Sequence, residues 1–240
     1  MAWYPLATKL PIQPGSNDPP ITVIGAILHV DAGNSGNLYN YFKNDSGGIE
    51  SHFHIPKEGP IQQYRDTAYE ADANLKANSF LLPNGKRVGF VSIETQGLAK
   101  GEWNPHQLEQ IKVLLKWLAE THNFPLKVCT SPTSPGVGYH VMWGAPGPWT
   151  PIAKDCPGAD RVRQFHEVLT PWFKAGAPAG VVVDGGNKVT PEQMQELKDF
   201  IEARLKAYFK GQQKWETQTD NADAQRAANA TAAKLKEQSK

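Results

Sequence analysis

Three side chains have the chemistry of a catalytic zinc centre: His29, His140 and Cys156. A zinc hydrolase needs three nitrogen, sulfur or oxygen ligands and one position left open for water. His29 closes the apolar run Ile21-Thr22-Val23-Ile24-Gly25-Ala26-Ile27-Leu28. His140 follows Gly136-Val137-Gly138-Tyr139, and Cys156 sits in Lys154-Asp155-Cys156-Pro157-Gly158, where a Pro-Gly turn fixes the backbone beside a thiolate. Each residue also has a plainer reading: a strand-end His as a hydrogen-bonded structural residue, a Cys before Pro as a buried one. The three are far apart in sequence and form no compact zinc motif. A cysteine hydrolase with Cys156 as nucleophile and His140 as base is a second chemistry open to the same residues. Pro157 makes it awkward, because an activating helix N-terminus usually follows such a Cys. No Gly-x-Ser-x-Gly elbow occurs, which argues against a serine hydrolase.

These residues need elements to bring them together. The run ending at His29 reads as a strand covered on both faces. A loop at 31–36 and a short helix over Leu38 to Phe42 follow. Glu50 to Ile55 and Ile61 to Tyr64 read as two strands joined by a Gly-containing turn. Arg87 to Glu94 is β-branched and aromatic and ends in a carboxylate. Asn104-Pro105-His106-Gln107 carries an N-cap residue, Pro at the first helical position and Gln three after the cap. Leu108, Ile111, Leu114, Leu115 and Leu118 then recur at helical spacing. A short strand is expected over Leu126 to Thr130, a long functional loop over 131–155, and a closing helix from Asp160 to Trp172.

The whole predicts an α/β fold, a central mixed β-sheet flanked by helices, with a C-terminal helical extension. Residues 1–20 read as an irregular arm, 21–175 as the catalytic domain and 176–189 as linker. Residues 190–240 read as a helical region in which Met194, Leu197, Ile201, Leu205 and Tyr208 form a narrow apolar stripe. That stripe suits packing on the domain or self-association; beyond it the chain is polar and Ala-rich.

The totals fit. A chain of 240 residues with 40% hydrophobic and 20% charged residues has ordinary globular composition. Lys+Arg is 25 and Asp+Glu is 24, which gives no electrostatic case for nucleic acid or an anionic membrane. No apolar run reaches the length of a membrane span. Met1-Ala2-Trp3-Tyr4-Pro5 has no basic start before an apolar core, so no signal peptide and a soluble cytoplasmic product are expected. Two cysteines, Cys129 and Cys156, are too few for a disulfide scaffold.

In order along the chain, the strand ending in His29, Ser51-His52-Phe53-His54-Ile55 with Gly59, Val91-Ser92-Ile93-Glu94, His140, and Lys154-x-Cys156-Pro157-Gly158 resemble the type 2 N-acetylmuramoyl-L-alanine amidase family, whose fold is shared with peptidoglycan recognition proteins. The resemblance covers roughly residues 20–175, and Lys-x-Cys-Pro-Gly paired with an upstream His is its most specific part. His140-x-x-Trp143-Gly144 with Arg161 looks most like endolysins of phages that infect actinobacteria.

The resemblance implies Zn2+ held by His29, His140 and Cys156, with Glu94 and Lys154 as catalytic residues. Its implied substrate is bacterial peptidoglycan, cut between the lactyl group of N-acetylmuramic acid and L-alanine of the stem peptide. A phage lysin without a signal peptide would stay in the infected host's cytoplasm until a holin-type partner opened the membrane. Members of this fold that lack the Cys ligand bind peptidoglycan without cutting it; Cys156 argues against that alternative here. Two departures stand out. Ser51 occupies a position where some members carry a catalytic Tyr, and Tyr69-Glu70-Ala71-Asp72 replaces a Trp-His-Ala-Gly segment. Glu70 is the expected substitute in touching substrate.

His52 and His54 share a strand face, a spacing open to a metal pair or a core role, and His52 is counted among the substrate contacts. His106, His122 and His166 read as structural or surface residues. Tyr139, Trp143 and Trp149, with Pro146, crowd the loop near the proposed metal. Flat aromatic faces suit sugars and peptide stems, so they are expected along the substrate groove, with plain packing as the alternative.

Overall fold

The alternation of apolar runs with one strongly amphipathic helix demands a sheet with a helix packed on it, and that is what forms. The computed structural model describes residues 2–12, 18–43 and 49–176. Its strands are β1 (Thr8–Lys9), β2 (Thr22–Leu28), β3 (Phe53–Ile55), β4 (Gln62–Gln63), β5 (Ser79–Leu81), β6 (Arg87–Thr95) and β7 (Gly136–Tyr139). The sheet order is β1-β4-β3-β6-β2-β7, with β5 also on β6. β2 runs parallel to both β6 and β7, and β3 is parallel to β6. The β3–β4 and β5–β6 pairs are antiparallel. The sheet is mixed, as expected.

Helix α1 (Tyr39–Phe42) is short. Helix α2 (Pro105–His122) starts on the capping box read from the sequence: Asn104 Oδ1 accepts the Gln107 N–H at 2.8 Å, and Gln107 Oε1 accepts the Asn104 N–H at 3.2 Å. Ile111, Leu114, Leu115 and Leu118 of α2 are buried against Ala26, Leu28, Val91 and Ile93 of the sheet. Each such side chain contributes roughly 2 kcal/mol of hydrophobic stabilisation. The closing helix follows as α3 (Ala159–Gln164), a wider π turn over Phe165–Leu169, and α4 (Thr170–Lys174). Phe165, Leu169 and Phe173 join the same core as α2. A smaller core of Ile27, Ala77, Phe90, Cys129 and Trp149 covers the opposite side.

Three expectations need correction. The N-terminal arm is not wholly irregular: β1 pairs with β4, and Tyr4 is buried in the main core. Leu126 to Thr130 is not a strand; it contributes a single bridge, Val128 to Val137. The chain leaves the ladder there because Ser134 Oγ takes the N–H groups of Thr130 and Ser131. The 131–155 segment contains strand β7, masked in the sequence by its glycines. Its close pairing with β2 needs a glycine on β2: a Cβ on Gly25 would sit 1.8 Å from the Gly136 carbonyl oxygen.

The first compact unit spans Met1–Pro178. The second, Ala179–Lys240, lies outside the described residues, as do the expected linker beyond residue 176, the helical region and the Met194-to-Tyr208 stripe. Among the described residues no helix is long and apolar enough to cross a membrane.

Candidate metal centre and cleft

Register brings the first two histidines together. Leu28 of β2 is level with Ile93 of β6 and with Tyr139 of β7. One residue further, His29, Glu94 and His140 stand side by side at the C-terminal ends of three parallel strands. Alternation sets their direction. Leu28, Ile93 and Tyr139 pack into the helix-side core, so the next residue of each chain turns to the other face. The His29 and His140 ring centroids are 4.3 Å apart.

Cys156 arrives from a loop pinned on both sides. The Val30 N–H donates to its Sγ at 3.3 Å. Arg161, 1% exposed, donates through Nη1 to the carbonyls of Leu98 at 2.7 Å and Pro157 at 3.2 Å. Gly158 has φ of 93°, and a Cβ there would lie 1.8 Å from the Ala99 carbonyl oxygen, so only glycine lets this loop seat. The outcome is that ligand atoms of His29, His140 and Cys156 all lie within 4.8 Å of one another.

The electrostatics suit a cation. Burial, then the neighbouring His29, then Lys154 push the His140 pKa down to about 2; burial and Lys154 push His29 down to about 4, against the Asn74 hydrogen bond. Both imidazoles are therefore neutral at pH 7, the state a metal ligand needs. The 3.7 Å approach of His29 Nδ1 to Glu94 Oε1 is accordingly not an ion pair. Both ring nitrogens of His140 and the Oε2 of Glu94 are buried with no hydrogen-bond partner among the described residues. Such orphaned atoms are costly unless something fills the space between them. Burial, then Glu94, push the Cys156 thiol up; burial, then Asp31, hold Glu94 at about 8, against the pull of Lys154. A divalent cation would offset these penalties, and two neutral imidazoles with one thiol are a donor set that fits zinc.

His29, His140, Cys156, Glu94 and Lys154 line one cleft of about 430 Å³. Leu38, Tyr41, Ile49 and Leu75 give it an apolar wall, and Asp72 and Asp155 are also on its lining. Lys154 is exposed at this site.

The other expected substrate contacts are not on the cleft. His52 is fully buried; its ring bonds Ser92 Oγ at 3.0 Å and the Tyr69 carbonyl at 2.9 Å, so it ties strands and cannot meet a ligand. Glu70 lies outside the lining, and its carboxylate accepts from Ser79 Oγ. Tyr139 points to the helix side by strand alternation and packs on Phe165. Trp149 is 2% exposed and donates to the Pro132 carbonyl; Trp143 packs edge-on against it. These tryptophans belong to the smaller core, the packing alternative.

His54 is buried between Asp31 and Gln62, so it forms no metal pair with His52. His106 and His122 bond the Gly59 carbonyl and Thr67 Oγ1, and His166 is exposed beside the Tyr139 hydroxyl. Two residues near the candidate ligands carried no sequence signal: Asp31, and Asn74, whose Oδ1 lies 2.7 Å from His29 Nε2. A second group of acids, Asp18, Glu50 and Asp72, gathers near Arg65, which pairs with Asp18 at 2.5 Å and Glu50 at 3.1 Å.

No protein-family model and no curated protein sequence matches the chain. Solved structures do resemble it. The catalytic domain of PlyG is similar with a TM-score of 0.51 and 16% identity, over 73% of this chain and 98% of that one. PlyL is similar with a TM-score of 0.50 and 16% identity, over 73% and 99%. The N-acetylmuramoyl-L-alanine amidase LysC of Clostridium intestinale URNW reaches a TM-score of 0.48 at 15% identity, over 72% and 99%. At these identities the likeness to PlyG and PlyL speaks for the fold.

Proposed function

We propose that the chain is a zinc-dependent N-acetylmuramoyl-L-alanine amidase that hydrolyses the amide between N-acetylmuramic acid and L-alanine in bacterial peptidoglycan. One observation carries this reading: two neutral imidazoles and a thiol converge within 4.8 Å at the base of a cleft, with a buried carboxyl beside them. The motif order that resembles the amidases supports the substrate.

His29, His140 and Cys156 would hold the ion, which when bound supplies Lewis acidity toward the amide carbonyl and toward water. The remaining work falls to the protein. Glu94, ionised once a bound cation offsets its burial, takes a proton from the attacking water as its oxygen adds to the carbonyl carbon. The same carboxyl, which burial inclines to hold a proton, passes it to the amide nitrogen as the C–N bond breaks. The products are a carboxylate on the lactyl group and a free α-amino group on L-alanine. Lys154 lends positive charge to the developing oxyanion. The apolar wall of Leu38, Tyr41, Ile49 and Leu75 shields one side of the cleft from water.

The sequence resemblance extends the proposal to a phage lysin that acts on the host wall once a holin-type partner has opened the membrane. End-group analysis of purified walls treated with the full chain and zinc tests the activity. New N-terminal L-alanine without new reducing sugar ends is expected. New reducing ends, or no release, would refute it.

A further inference from the structure

The segment that crosses beneath His29 does more than close a loop. Asp72–Ala77 forms two short 3-10 turns that meet in a kink at Leu75, held by the Ala73 N–H on the Glu50 carbonyl and the Lys76 N–H on the Trp149 carbonyl. Within it Leu75 adopts φ of 55° and ψ of −118°, a conformation costly for a branched side chain. Leu75 lines the cleft, while its neighbour Asn74 is completely buried.

Asn74 makes two bonds. Its Nδ2 donates to the Phe90 carbonyl at 2.7 Å, and its Oδ1 lies 2.7 Å from His29 Nε2. The first bond fixes the amide's direction, since a carbonyl can only accept and a reversed amide would set two oxygens face to face. Oδ1 can only accept as well, so Nε2 of His29 must carry the ring proton. The lone pair is then on Nδ1, the atom 3.7 Å from both Cys156 Sγ and Glu94 Oε1.

We infer that Asn74 is a positioning residue that locks His29 in the Nε2–H tautomer and aims Nδ1 into the metal centre before any ion binds. The metal part of this inference rests on the proposed zinc reading; the tautomer does not. The strain at Leu75 fits the arrangement, because the turn there lets adjacent residues face the ligand and the cleft in the same short segment. Groups that orient a metal-binding imidazole typically change metal affinity by about 10- to 100-fold when removed.

The test uses the full chain labelled with 15N, zinc-loaded and after chelation, with long-range ring correlations for His29 and a zinc competition titration. The Nε2–H form is expected in both states. Asn74→Asp, whose protonated carboxyl can donate to the Phe90 carbonyl and still accept from Nε2–H, should keep that tautomer. Asn74→Leu should let the Nδ1–H form appear after chelation and raise the zinc Kd about 10- to 100-fold. An Nδ1–H or mixed form in the chelated wild type would overturn the inference. So would an Asn74→Leu variant that keeps both the tautomer and the Kd. If that variant does not fold, the wild-type and Asn74→Asp spectra decide. A wild type that holds the Nε2–H form yet binds no zinc would refute the metal centre and leave Asn74's hold on His29 standing.

Discussion

The Sγ of Cys156 lies 3.7 Å from Nδ1 of His29, although 127 positions separate them in the chain. Two chemistries are open to this contact, and they predict different behaviour of Cys156 variants. A nucleophilic thiol needs a lowered pKa, and burial drives this one upward. A ligand thiol needs only a metal to displace its proton. Cys156→Ser should therefore lose tight zinc binding, and Cys156→Asp, which restores an anionic ligand, should recover binding and part of the turnover. A cysteine nucleophile would instead leave Cys156→Asp inactive with zinc binding unaffected. Zinc titration beside a wall-turbidity assay reads both.

Glu94 is assigned proton transfer by the proposal and is not among the three grouped side chains. Its Oε2 is buried and has no hydrogen-bond partner among the described residues, and burial holds its carboxyl at about 8. Glu94→Gln keeps shape and removes the proton carrier. Turnover should fall by about 10²- to 10⁴-fold, while zinc affinity stays within a few fold. Loss of zinc in parallel with activity would reassign Glu94 to the metal.

Much of this was legible in the residues. The His29 strand and the strand that carries Glu94 follow from apolar patterning, and the capping box at Asn104 from its residue types; the parallel register that aligns His29, Glu94 and His140 does not. Strand β7 did not, because Gly136 and Gly138 carry no side chain to pattern. Asn74 was hidden in a polar stretch without period, where only a tertiary contact gives an amide meaning. Trp143 and Trp149 read as groove aromatics because type alone cannot say which side of a sheet a loop covers. His52 was misplaced for a related reason: a polar ring in a strand is buried when, as here, Ser92 and a carbonyl satisfy both nitrogens.

Gly25→Ala tests the close approach behind β7. The added Cβ would meet the Gly136 carbonyl oxygen at 1.8 Å, and backbone cannot swing aside as a flexible side chain does. A destabilisation of about 3 kcal/mol or more is expected, with zinc affinity reduced because His140 directly follows β7. Urea unfolding measures it; a loss under about 1 kcal/mol would contradict the packing described.

His52 should make the fold acid-sensitive. Burial lowers its pKa from 6.5 to about 4. The folded state thus keeps the ring neutral where the unfolded state binds a proton. Its contribution is complete above pH 6.5 and is lost as pH falls toward 4, on the order of 3 kcal/mol in all. His52→Gln should be less stable at pH 7 yet lose less stability between pH 6.5 and 4 than the wild type. Parallel unfolding curves across that window would count against a neutral buried ring.

The centre itself is most directly read by X-ray absorption at the zinc edge of the full chain. Two imidazole nitrogens at about 2.0–2.1 Å and one sulfur at about 2.3 Å are predicted, with the sulfur shell lost in Cys156→Ser. A wild-type spectrum fitted by oxygen and nitrogen alone would contradict the account.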